Sequence, residues 1–393
     1  MTWWNEFRKQ FPVTGMCTYL DSAWDCGGSL IGKAAAARYF DEWAVAAATA
    51  KRGGPGREPF FRVADETRDY IGRLLGGVPG KNVTITKNTN EGFNILMQGF
   101  QFQPGDNIVT FDREHSAILF PCAHAAQTRG VTCKYAKMDP EYNPSIDTLW
   151  EQVDEHTVMV FVSHVQSLTG YKLDLAELGR RCKERGIFLI VDAIQSLGLN
   201  EFHAEEWGVS AVSAGGYKGL GAFISIGFLY CCDELLEKVR PTFVSYNFQI
   251  APDYTDGFLK LRCTDPLNAN KFDNCSSDYL GTYIFHDSLK KILEIGTDRI
   301  EQHIRPLLDQ LYVGLRELSY TLVTPGDSQR RCASLCIKTE HAEEICRYFM
   351  NRQVVVCQCR TFNGNYIRMA LGAYSNEEDI EKTLAAAAEC PWR

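Results

Sequence analysis

The sequence predicts an α/β protein: a large domain with a seven-stranded, mostly parallel sheet between helices, followed by a smaller C-terminal α+β domain. Three observations predict it. Seven short apolar runs, at 82–85, 107–111, 131–136, 157–162, 187–192, 210–213 and 226–230, are mostly rich in Val, Ile, Phe or Thr, and few alternate in polarity. Unbroken apolar runs suit strands covered on both faces. Helical patterns lie between most of them, which favours parallel strands joined by crossovers. The pattern then changes near residue 265, dividing the chain into 20–265 and 266–393, with 1–19 packing on the second unit.

The elements follow in order. Asp174-Leu175-Ala176-Glu177 has the spacing of a capping box opening a helix through Glu184, with Gly186 as its stop. Segment 255–276 is polar and irregular, and a helical stretch follows from Thr282 to Leu318. The smaller unit reads as strand 333–338, helix 340–351, strands 354–359 and 366–371, and helix 376–388, with Ser375-Asn376-Glu377-Glu378 as a second capping box. A cleft between the two units is the natural ligand site.

The 393 residues are 45% apolar and 23% charged, which excludes a mostly disordered chain. A net charge of −8, with no Lys/Arg block, argues against nucleic acid or an anionic membrane as partner. No apolar run reaches the roughly 20 residues of a membrane span. Met1-Thr2-Trp3-Trp4-Asn5-Glu6 lacks the basic and apolar regions of a secretory signal. The 15 cysteines are odd in number, scattered and without a C-x-x-C pair; the closest are Cys231-Cys232 and Cys357-x-Cys359. This reads as a reduced, cytoplasmic protein using Cys as a small apolar residue, with no metal site.

Four stretches carry chemistry. Ser213-Ala214-Gly215-Gly216-Tyr217-Lys218-Gly219-Leu220-Gly221 places one Lys among four glycines after a strand. Desolvated by its neighbours, that amine is a candidate nucleophile; alone, the stretch reads as a surface turn. Asp192 directly follows the apolar run 187–191, at the sheet edge where ligands bind in open α/β folds; alone, it reads as a helix cap. Thr86-Lys87-Asn88-Thr89-Asn90 lies where strand turns to helix and offers hydroxyl and amide groups beside free N–H groups. His115 follows a third strand.

The order Thr89, His115, Asp192, Gln195, Lys218 resembles fold-type-I pyridoxal phosphate (PLP) enzymes of the class-V aminotransferase group, from about Phe11 to Ala388. That group includes cysteine desulfurases, isopenicillin N epimerase-like proteins and C–S lyases. The resemblance implies PLP as cofactor. Lys218 matches the lysine that bonds it as a Schiff base, Asp192 the carboxylate at the ring nitrogen, Gln195 the contact to the ring hydroxyl, and His115 the ring-stacking residue. Thr89 and Asn90 match the phosphate-binding turn, with Ser167, Ser213 and Tyr217 as further cofactor contacts. Arg368 matches the arginine gripping the substrate carboxylate; Ala23 and Trp24 match the segment lining the substrate pocket. Ser276 matches a residue lent to the partner's phosphate, so a homodimer is implied. The sequence departs from the family where Tyr217 replaces the usual His before the lysine, and Gly215 the usual Ser or Thr three residues before it.

The implied activity acts at Cα and Cβ of an amino acid. The leading reading is a C–S lyase, since Cys357 and Cys359 look built into a strand rather than a mobile loop. Epimerase, aminotransferase and decarboxylative chemistry share the same residues; a cysteine desulfurase using Cys359 or Cys357 and a non-catalytic binding protein on the same fold are the remaining alternatives.

Overall fold

The computed structural model describes residues 2–49, 58–243, 249–253, 260–264, 268–273, 277–361 and 363–392. Seven strands form the main sheet, in the order Val83–Thr86, Gly227–Cys231, Ala211–Gly215, Phe188–Asp192, Thr157–Ser163, Asn107–Phe111 and Thr132–Ala136. Gly227–Cys231 alone runs against the others, antiparallel to both neighbours; the remaining neighbours pair in parallel. All seven predicted strands are present, with ends shifted by a residue or two.

Their unbroken apolar character has the expected cause. Successive side chains point to opposite faces of a strand, and both faces are covered here. Val109, Phe111, Val160, Val162, Leu189 and Val191 enter one core. Ile108, Met159, Phe161 and Ile190 enter the other. Helices Thr89–Gly99 and Ser116–Arg129 cover the second face through Phe93, Leu96, Ile118 and Cys122. Helix Leu175–Glu184 covers the first through Leu175, Leu178 and Cys182. Each such buried side chain contributes roughly 1.5–3 kcal/mol, so the strand ends are rigid supports.

A three-stranded antiparallel sheet, Ser334–Lys338, Gly364–Ala370 and Cys357–Thr361, forms the smaller layer. The chain start lies beside it: Thr18–Tyr19 pairs with Val354–Val355 in a separate two-stranded sheet, and Asp21 bridges to Ala370. Helix Tyr279–Ile295 packs on helices Leu30–Thr49 and Glu58–Leu74 through Tyr283, Ile284, Ala35, Phe60 and Val63.

Several expectations need correction. The stretch 282–318 is two helices, Tyr279–Ile295 and Thr297–Glu317, broken at Gly296, whose φ of +93° suits glycine. The run 354–359 is two strands in two sheets. Within 255–276, expected to be irregular, Lys260–Thr264 pairs antiparallel with Gln249–Asp253. The second capping box lies one residue later, between Asn376 and Asp379, because the Ser375 hydroxyl accepts the Gly372 N–H instead. At Asp174 only half a box forms: Asp174 accepts the Glu177 N–H, while the Glu177 carboxylate turns to Arg180 and Arg181.

Candidate active site

The carboxyl ends of the parallel strands meet at one edge of the main sheet, around a cavity of about 350 Å³. That volume is in the range of small-molecule sites. It gathers Thr89, Asn90, His115, Ser167, Asp192, Gln195, Tyr217 and Lys218, all singled out in the sequence.

Asp192 ends the strand Phe188–Asp192 and is buried. One carboxylate oxygen accepts the Ile194 N–H at 3.0 Å; the other has no hydrogen-bond partner among the described residues. Burial pushes this carboxyl up to about 6, and Lys218 pulls it partly back. Lys218 lies just beyond the end of the neighbouring strand Ala211–Gly215. Burial lowers its amine to about 8, against the opposing pull of Asp192.

His115 caps helix Ser116–Arg129: its Nδ1 accepts the Ala117 N–H at 3.2 Å. Nδ1 therefore carries no proton, and the neutral ring presents Nε2–H. Burial, then the charges of Lys218 and Arg368, hold its proton affinity below the usual histidine value.

Helix Thr89–Gly99 starts at the cavity. Its N-cap Asn88 accepts the Glu91 N–H at 2.9 Å, which leaves the N–H groups of Thr89 and Asn90 without a partner among the described residues. Gly92 lets this helix lie against the sheet, since a Cβ there would overlap Ser213 Oγ and press on Leu229.

The remaining predicted residues are placed as follows. Ser213 is fully buried below the cavity, its hydroxyl on the carbonyls of Thr89 and Phe228 at 3.1 and 2.9 Å. The Tyr217 ring lies beside Lys218, its centroid 5.7 Å from Nζ. Gln195 donates to the Ala23 carbonyl at 3.2 Å, and Ala23 is buried. Trp24 is 68% exposed and is not among the residues lining the cavity. Arg368 is 7% exposed and also stands outside the lining; it donates to the Ser167 carbonyl at 2.8 Å and lies 3.7 Å from Asp21. Its buried Nε has no hydrogen-bond partner among the described residues. Ser276 lies outside the described residues. Cys357 pairs across the ladder with Arg368, and its sulfur is 3.9 Å from that of Cys359.

Sequence reasoning assigned no role to Glu114, Ser163 or Asp21, and none to Asn88 beyond its place in the strand-to-helix turn. Asn88 was legible as the N-cap, three residues before Glu91; the other three depend on contacts far along the chain.

These residues fit PLP. The free first-turn N–H groups of Thr89 and Asn90 would hold its phosphate. The unpaired oxygen of Asp192, raised by burial, would hold a protonated ring nitrogen. The Lys218 amine would bond the aldehyde carbon, and His115 would cover the ring.

The comparisons agree with that fit. The model of the family Aminotransferase class-V matches residues 19–383. An uncharacterized aminotransferase of Schizosaccharomyces pombe is 26% identical over 334 residues, covering 84% of this chain and 82% of the relative. A probable cysteine desulfurase of Methanothermobacter thermautotrophicus is 25% identical over 309 residues, covering 78% of this chain and 74% of the relative. The same fold occurs in a cysteine desulfurase from Thermococcus onnurineus, with a TM-score of 0.87, 22% identity and coverage of 98% and 97% of the two chains. It also occurs in the cystine C–S lyase solved with its product cysteine persulfide, with a TM-score of 0.84, 19% identity and coverage of 97% and 99%. Matched across most of its length, the chain belongs to the class-V aminotransferase family of PLP-dependent enzymes.

Proposed function

We propose that the protein is a PLP-dependent C–S lyase, acting by β-elimination on a sulfur-containing or otherwise β-substituted amino acid. One observation carries the choice of lyase: Cys357 and Cys359 are held in the paired strand Cys357–Thr361, opposite Arg368 and Tyr366. A thiol fixed in a hydrogen-bonded ladder is poorly suited to swing onto a substrate sulfur.

PLP, when bound, supplies an electron sink for charge developing at Cα. The chain's own residues do the rest. Arg368 binds the α-carboxylate: its Nε has no hydrogen-bond partner among the described residues, and a guanidinium takes a carboxylate through two parallel N–H groups. Lys218, its amine lowered to about 8, takes the Cα proton as general base near neutral pH. Asp192 holds the proton on the ring nitrogen. Neutral His115 lays its ring over the site without adding charge. The sulfur group leaves Cβ as a thiol that carries away a proton, and the three-carbon enamine left behind takes up one water to end as pyruvate and ammonia.

A second reading, cysteine desulfurase, is favoured by the position of Cys357 opposite the buried Arg368. The named relatives and solved neighbours include enzymes of both kinds. Release of pyruvate and ammonia from cysteine thioethers by the PLP-loaded enzyme tests the lyase reading.

A homodimer belongs to the same proposal. Phe40, Trp43 and Phe61, on helices Leu30–Thr49 and Glu58–Leu74, are each at least half exposed, an apolar face suited to a second copy. Sedimentation of the loaded enzyme as monomer alone would exclude it. A cytoplasmic location is proposed with it, since the thirteen cysteines whose side chains the structure describes are all free thiols. No helix among the described residues is long and apolar enough to cross a membrane.

A further inference from the structure

We propose that Glu114 is a positioning residue: its carboxylate ties the His115 wall of the cofactor slot to the strand ends that carry Asp192. Glu114 is buried, and both its oxygens accept from one residue. Oε1 takes the Ser163 N–H at 2.9 Å and Oε2 the Ser163 hydroxyl at 2.6 Å. Ser163 ends its strand, lines the cavity, and pairs with Asp192 in the parallel ladder. The next residue on that ladder is tied too, since the His164 N–H donates to the Asp192 carbonyl at 2.9 Å.

On the other side, Glu114 directly precedes His115, the N-cap of its helix. The carboxylate thus joins the residue just before the ring-stacking histidine to the strand beside the ring-nitrogen carboxylate. A planar ring held between His115 and Asp192 depends on the spacing of those two supports. Glu114 sets it.

The position is costly for a carboxylate. Burial pushes Glu114 up to about 7 despite the two hydrogen bonds, and the charge of Asp192 adds to the rise. Apolar replacement of both partners at such a place is often neutral or better for stability, whereas removal of one leaves the other unsatisfied. What an apolar replacement lacks is direction: two hydrogen bonds to one residue fix a distance and an orientation, and dispersion contacts do not. Ser163 gains as well, because its hydroxyl proton is committed to Glu114 and its oxygen is left only to accept.

The test compares Glu114→Leu, Glu114→Gln, Ser163→Ala and the Glu114→Gln/Ser163→Ala double variant. Thermal midpoint, PLP affinity by titration of the visible band, and visible circular dichroism of the bound cofactor are measured without substrate. Glu114→Leu leaves the Ser163 N–H and hydroxyl without their acceptor, so it is expected to melt below the wild type while staying folded at the assay temperature, to bind PLP about tenfold more weakly, and to lose much of the cofactor's dichroism. Glu114→Gln, which keeps an acceptor for the Ser163 N–H, falls between. The double variant is no worse than the poorer single one, because both remove one link. Wild-type affinity and dichroism in both Glu114 variants overturn the proposal, as do additive losses in the double variant. Losses that vanish when each variant is compared with the wild type at the same distance below its own melting temperature also overturn it, since they mark a structural role. If Glu114→Leu fails to fold, the Gln and double variants decide. The inference rests on PLP binding and not on the lyase reading, so its readouts stand whether or not pyruvate is formed.

Discussion

Gly215 and Thr89 are joined by a hydrogen bond: the Gly215 N–H donates to the Thr89 hydroxyl oxygen at 2.9 Å. Thr89 begins the helix whose first turn would hold phosphate, and Gly215 stands three residues before Lys218. The bond makes the anion cradle and the lysine turn one rigid piece. It uses a lone pair of the hydroxyl and leaves its proton free to donate into the cavity.

That rigidity depends on close approach. Glycine at position 92 lets helix Thr89–Gly99 lie against Ser213 and Leu229. Gly92→Ala is expected to destabilise the protein by about 1–3 kcal/mol, as overpacking does, and to weaken PLP binding. Denaturant titration with and without PLP checks both; unchanged stability and affinity would show that the helix shifts freely.

Lys218 should make cofactor uptake pH-dependent in the cofactor-free protein. Only the neutral amine attacks the aldehyde, and burial lowers this amine to about 8. The uptake rate is expected to rise about tenfold per pH unit below that value and to level off above it. Stopped-flow absorbance checks this, and a rate still rising at pH 10 would refute the lowered value.

Asp192 holds the ring-nitrogen proton in this account. Asp192→Asn is expected to bind PLP yet to lose about 10²-fold or more in kcat, the scale for removing one preorganised electrostatic group. Steady-state kinetics on the loaded variant measures it. Turnover close to wild type would remove Asp192 from the chemistry.

His164 supplies a stability test away from the reaction. It is buried, with Nδ1 2.9 Å from Ser196 Oγ, and burial pushes it down to about 3. A folded-state value below the unfolded one favours the neutral ring. The stability it contributes is therefore present above pH 6.5 and lost as pH falls from there towards 3, by up to about 1.4 kcal/mol per unit. Glu114 and Asp192, raised to about 7 and about 6, act with the opposite sign in the cofactor-free protein. Their contribution is present below pH 4 and lost as pH rises through those values. The difference between wild type and His164→Asn isolates the histidine. A difference independent of pH would contradict a neutral, buried His164.

What the sequence could reveal follows from which interactions are local. Asp192 and Lys218 stand just after apolar strands, so their place at the sheet edge follows from pattern and topology. Asn88 and Glu91 interact within one helical turn. Glu114 and Ser163 meet across 49 residues, and no local spacing announces that contact. Ser213 shows the converse limit. Its strand was legible, but register turns its hydroxyl onto two carbonyls below the cavity. The break at Gly296 was visible as a glycine, while the two-sheet split of 354–359 arises only because Thr18–Tyr19 arrives from the far end of the chain.

The most direct test of the central claim is product formation by the PLP-loaded enzyme with cysteine thioethers, cystine and L-cysteine, assayed for pyruvate and ammonia, with Lys218→Ala as control. The account predicts pyruvate and ammonia in equal amounts from thioethers, and neither from the control. Sulfur release from L-cysteine with alanine as product, and no pyruvate from any thioether, would contradict the lyase assignment and identify a desulfurase instead.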